Sequence, residues 1–69
     1  MSFQILLHGN VVAPELPTLK RAKRKAVALY CELHDPYRRR SYTWSRSNDL
    51  LVADEEGSWA TGFSITAQS

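Results

Sequence analysis

Sixty-nine residues, 43% hydrophobic and 23% charged, form one small domain spanning 1–69, since so short a chain cannot divide into two cores. With only three glycines and three prolines it is neither collagen-like nor low-complexity. Nine Lys plus Arg against seven Asp plus Glu leave a formal net charge of +2, too small a bias to name a partner. The single cysteine, Cys31, cannot close an intramolecular disulfide, which points to a reducing, intracellular setting. The stretch Met1–His8 lacks the basic and apolar regions of a signal peptide, and Ser2 stands where myristoylation requires glycine. No run approaches the roughly 18 apolar residues of a membrane span. A soluble, cytoplasmic protein without membrane contact is expected.

Along the chain, Phe3, Ile5 and Leu7 alternate with Gln4, Leu6 and His8, the period of a strand with one buried side. Gly9-Asn10 reads as a tight turn. Val11-Val12 suits a short return strand, which Pro14 and Pro17 should end because proline donates nothing to a ladder. From Thr18 to about His34 the spacing becomes helical, with Leu19, Ala22, Ala26, Leu29 or Tyr30, and Leu33 on one stripe. Thr18 is placed to cap this helix, Arg21 at the third helical position leaves the capping box incomplete, and Asp35-Pro36 stops it. Lys20, Arg21 and Arg24 lie opposite the stripe, with Lys23 and Lys25 at its edges. Cys31 falls among the basic residues, as a partly exposed thiol.

Beyond the helix the period returns to two. Arg38, Arg40, Tyr42, Trp44 and Arg46 share one side of an arginine-bearing strand whose buried face Tyr42 and Trp44 mark. Ser47-Asn48-Asp49 is a turn, Leu50–Ala53 a short strand, and Asp54-Glu55-Glu56-Gly57 a hairpin turn with the glycine at positive φ. The last strand starts at Ser58. Trp59, Thr61, Phe63, Ile65 and Ala67 share one face and the small Ala60, Gly62, Ser64 and Thr66 the other, and residues 66–69 read as a loose terminus. The predicted fold is α+β: a small antiparallel sheet of four strands, with a short fifth, and one helix packed on one face. Its order is strand, short strand, helix, then three strands. Roughly fifteen apolar side chains at about 25 cal/mol per Å² barely offset the chain entropy, so a partner or a second copy is expected to complete the fold.

All nine basic residues lie between Lys20 and Arg46. With Glu15, Glu32 and Asp35 they give residues 1–46 a charge of +6, while Asp49, Asp54, Glu55 and Glu56 give residues 47–69 a charge of −4. Lys20 and Arg21 in the first helical turn, and Glu32 and Asp35 near the last, each oppose the helix dipole by about 0.3–1 kcal/mol. That placement suits contact better than stability. Lys20, Arg21, Arg24, Lys25, Arg38, Arg39 and Arg40 are therefore the candidate partner-binding residues, expected to gather into one accessible patch. Arginine suits acidic protein surfaces, so an acidic patch on a protein or nucleoprotein complex is the first target. Tyr37, Tyr42 and Trp44 among the arginines make a weakly sequence-specific nucleic-acid binder the alternative. A homodimer or longer homo-oligomer joining basic and acidic ends is the third.

No enzymatic arrangement stands out. Cys31 and His34 are only two residues, His8, Cys31, His34 and Asp35 match no zinc spacing, and Glu55 and Glu56 read as solubilising turn residues. Nucleotide, EF-hand and Ser/His/Asp patterns are missing, so neither cofactor nor metal is expected. In size, compactness and want of catalytic residues the chain resembles in kind the small accessory proteins that phages and mobile elements encode to disable host machinery, anti-CRISPR proteins among them. That resemblance rests on no motif. It implies an inhibitor-type binding protein and assigns no site residue, and the basic charge departs from the acidic nucleic-acid mimics common among such inhibitors.

Overall fold

The computed structural model describes residues 1–68. Strands β1 (Ser2–Leu7) and β2 (Asn10–Leu16) form a hairpin, α1 (Leu19–His34) follows, and β3 (Ser41–Trp44), β4 (Asp49–Asp54) and β5 (Gly57–Gln68) complete the chain. One antiparallel sheet results, in the order β2-β1-β5-β4-β3, with β5 running between the two hairpins. The helix packs on one face of this open α+β sheet.

Local chemistry sets the joints. The β1–β2 turn is His8-Gly9, with φ of 50° and 85°, two positive values whose handedness matches the twist of the flanking strands. It falls one residue earlier than the sequence suggested, and Asn10 already pairs with Leu7. The fifth strand is also longer than expected, because β2 continues through Pro14 to Leu16. It pairs with β1 at the edge of the sheet, and the ladder between them is irregular beside Pro14, where Glu15 takes φ 59°. An edge strand with a bulge tolerates a proline that a central strand would not.

Thr18 caps α1 as predicted, its hydroxyl accepting from the Arg21 N–H at 3.1 Å. Ala22 and Ala26 are fully buried, so the helix backbone approaches the sheet closely over β1 and β5, in a core shared with Ile5, Leu50, Val52 and Ile65. Tyr30 sets its ring edge against Phe63 at 6.5 Å and Tyr42 at 5.9 Å. Phe3, Leu7, Tyr42 and Trp44 pack around this core, on the face the alternation assigned to them.

Further expectations need correction. Leu33 is 77% exposed, at the open rim of a groove that it lines with Leu7, Val12, Leu29 and Phe63. Cys31 is buried, 3% exposed, where the chain after the helix folds back and packs Tyr42 on Tyr30 and Asp35. Trp59 is opposite Val52 on the helix side of the sheet, yet 40% exposed and outside the core. Arg38, Arg39 and Arg40 precede β3 rather than forming its start. Residues 66–68 belong to β5, with Gln68 paired to Ser2; Ser69 lies outside the described residues.

Candidate binding surface

Four cations stand exposed on the first half of α1: Lys20, Arg21, Arg24 and Lys25. Spacings of three, four and seven place Arg21, Arg24, Lys25 and Ala28 on one helical face, where they line a shallow depression. Lys20 is one turn before Arg24, on the flank. Among the described residues the one ion pair within 4 Å is Arg40 with Asp54, so none of these four is matched by a carboxylate. Lys23 is used differently, its Nζ lying 5.6 Å from the centre of the Trp44 ring.

This half of the helix works against its own stability. Lys20 with Arg24, and Arg21 with Lys25, are like charges one turn apart, each pair costing about 0.2–0.5 kcal/mol. No acid occupies the first turn to meet the positive end of the dipole.

The other end of α1 is organised by Asp35, 7% exposed. Its backbone N–H caps the helix on the Cys31 carbonyl, and its own carbonyl accepts from the Arg38 N–H at 3.0 Å. The carboxylate accepts from the backbone N–H groups of Arg39 and Arg40, both at 3.0 Å, and from the Tyr42 hydroxyl at 2.6 Å. Chiefly through the tyrosine, and further through the two N–H groups and the Arg40 charge, these donors hold the Asp35 carboxyl below its ordinary value against the opposing effect of burial. Burial first, and then the neighbouring carboxylate, push the Tyr42 hydroxyl far above the usual tyrosine range. It therefore remains a donor.

The loop so fixed places Arg39 and Arg40 among the molecule's own acids and aromatics and leaves Arg38 outside them. Arg38 adopts φ 51° and projects to solvent. Arg39 lies 5.6 Å from the ring centre of Tyr37, itself 80% exposed. Arg40 sits 5.3 Å from the Trp59 ring and 3.7 Å from the Asp54 carboxylate. Arg39 and Arg40 share a groove with Asp54, Glu55 and Glu56 at the tip of the β4–β5 hairpin.

The structure thus brings Arg21, Arg24 and Lys25 together with Lys20 beside them, and places Arg38, Arg39 and Arg40 elsewhere. Ten residues of helix from Lys25 to Asp35, about 15 Å at 1.5 Å per residue, separate the two groups. At the far group Arg39 and Arg40 meet the three carboxylates of the hairpin tip while Arg38 projects to solvent, and the formal charges of these six residues sum to zero. The exposed aromatics Tyr37 and Trp59 belong to that neutral end. Asp35 was visible in the sequence as a helix stop, but its control of the loop was missed; a usable signal was the Asp-Pro pair seven residues before a tyrosine in an otherwise arginine-rich segment.

Other groups considered for chemistry are dispersed. His8 lies against Gly62 at the first hairpin, His34 packs on the Tyr30 ring at 4.8 Å, and Cys31 is buried. Among the described residues no three His, Cys, Asp or Glu side chains are grouped to hold a metal ion. No helix in that span is long and apolar enough to cross a membrane. Comparison with protein-family models, with curated proteins and with solved structures finds no match.

Proposed function

We propose that this chain is a non-enzymatic binding protein that seats the basic face of α1 on an acidic patch of a protein or nucleoprotein complex. The reading is carried by one observation: Arg21, Arg24 and Lys25, with Lys20 at their side, are exposed, mutually repulsive and unmatched by any described carboxylate. An acidic partner would relieve that repulsion and supply the missing charge at the helix start. The exposed aromatics, Tyr37 and Trp59, stand at the other, neutral end, and Trp44 beside Lys23 is half-buried, which favours a protein surface over single-stranded nucleic acid. The free thiol of Cys31 supports a reducing, cytoplasmic setting. Blocking a host surface, as small phage or mobile-element accessory proteins do, is the mode of action this proposal implies.

The test is capture of partners from a cytoplasmic lysate by the wild type and by the double variant Arg21→Glu/Arg24→Glu, with and without nuclease. Proteins retained by the wild type, lost by the variant and indifferent to nuclease are the expected result. An identical set of captured proteins for both baits would reject the proposal. Capture that vanishes with nuclease transfers the face to nucleic acid, which a steep fall of affinity for a DNA duplex with rising salt would then establish.

A further inference from the structure

Only one face of the sheet is covered. Alternation from the buried positions puts Gln4, Leu6, Thr43, Leu51, Ala60 and Ser64 on the other, through the pairs Leu6 with Ser64, Thr43 with Leu51, and Leu51 with Ala60. No lysine or arginine stands on these strands; eight of the nine lie away from the face, and the ninth, Arg39, borders its edge in a groove with Ser41, Ala53, Asp54 and Glu55. Asp49 reaches this face at its margin, and its carboxylate takes the Ser45 hydroxyl at 3.3 Å. In a chain with 16 charged residues, 9 basic and 7 acidic, a solvated sheet face would normally carry several of them.

We propose that this uncovered face is the interface of a symmetric dimer with a second copy of the chain. Charge selects the occupant. A face whose one bordering cation, Arg39, shares its groove with Asp54 and Glu55 offers little to an anionic partner, whereas its uncharged centre can meet its own copy without repulsion. Two molecules of net charge +2 that join here place their basic helices on opposite outer sides. The two sheets, packed about 10 Å apart, stand between those helices and keep them beyond the ~8 Å screening distance of physiological salt.

The relief of the face is self-complementary. The central strand β5 shows small residues, Ala60 and Ser64, and the larger Leu6 and Leu51 stand on β1 and β4 to either side. A two-fold axis lying in the interface across β5 can seat Leu6 of each copy against Leu51 of the other, the reciprocal exchange an isologous contact requires.

Area points the same way. The molecule exposes 4920 Å², against about 4400 Å² for a typical monomer of its mass. Five strands about 4.8 Å apart and some six residues long make a face of roughly 24 by 20 Å. With side-chain relief that is on the order of 600 Å² per copy, at the lower bound for a specific interface.

The experiment is sedimentation equilibrium of the whole chain at tens of micromolar, in 0.1 M and 1 M NaCl, for the wild type, Leu51→Lys, Thr43→Lys and Arg24→Glu. Thr43 is exposed, so Thr43→Lys leaves the monomer fold intact even if Leu51→Lys does not, and unchanged circular dichroism confirms it. Expected are twice the chain mass for the wild type at both salt concentrations, no change for Arg24→Glu, and at least a ten-fold weaker dimer for Thr43→Lys. A wild type that stays monomeric, or a dimer that survives both lysine variants, overturns the proposal. So does a mass that falls with salt and is lost in Arg24→Glu, because that outcome describes a charge-driven, head-to-tail contact instead.

Discussion

The two ends of α1 both carry cations and acids, and they use them in opposite ways. At the C-terminal end the Asp35 carboxylate takes three donors from its own chain, and the arginines it positions face Asp54, Glu55 and Glu56. At the N-terminal end Lys20, Arg21, Arg24 and Lys25 repel one another and the dipole, with no described carboxylate beside them. A basic residue is therefore structural where the fold brings it a counter-charge and available for contact where it does not. Nearness in sequence between the two arginine-rich segments says little about which of the two holds.

The comparison breaks most readily at the satisfied end. Asp35→Ala leaves the N–H groups of Arg39 and Arg40 and the Tyr42 hydroxyl without their acceptor, and an unmade hydrogen bond at a buried group costs more than a made one contributes. Of the changes considered for α1, this one is expected to lower the thermal midpoint the most. It should also flatten the acid limb of stability. A carboxyl held below its ordinary value contributes fully above the unfolded value of about 3.9 and loses that contribution as pH falls through the folded value. Thermal melts from pH 7 to pH 2 measure both effects. A wild-type profile that Asp35→Ala reproduces point for point would show that the carboxylate does not organise this end.

A smaller effect follows from Tyr42→Phe, which keeps the ring against Tyr30 and removes only the hydroxyl. The tyrosine hydrogen bond is the largest cause of the low Asp35 value, so the acid loss of stability should move to higher pH while the melting profile near neutrality changes less than in Asp35→Ala. The same series of melts reads the shift. An unmoved acid limb would assign the low value to the two backbone N–H groups instead.

What was legible beforehand, and what was not, divides along the same line. Thr18 as cap, the helix between Leu19 and His34, and the inward faces carrying Ile5, Tyr42 and Phe63 were readable, because each depends on residues a few positions apart. Pro14 within β2 was not, since its tolerance follows from an edge position that only the whole sheet defines. The alternation of residues 37–46 ran without a break through Arg38–Arg40, but Asp35 captures two of their N–H groups and makes a turn of them. Cys31, which the helical angle alone had left outside, is buried by tertiary packing that the helix does not define by itself. Charge counting found all seven candidate cations. Their division into free and neutralised groups depends on where the tip of the β4–β5 hairpin lands, a contact between residues some fifteen positions apart in a chain whose loops close at little extra entropic cost.

The finest test concerns the unsatisfied end, where a single change should raise stability while lowering binding. Arg21→Glu at the third helical position completes the capping box with Thr18, places a carboxylate at the positive end of the dipole and turns the contact with Lys25 from repulsive to attractive. Together these are worth about 1 kcal/mol at low salt, or a thermal midpoint higher by about 4–8 °C for a domain of this size. The gain should shrink as salt is raised, because the residues are exposed. If Arg21 only decorates a solvated face, the variant should be more stable and still retain every partner that the wild type captures. A variant that melts higher yet fails to retain them would show that the arginine is kept at the cost of stability for the sake of contact, which is the trade-off expected of a functional surface.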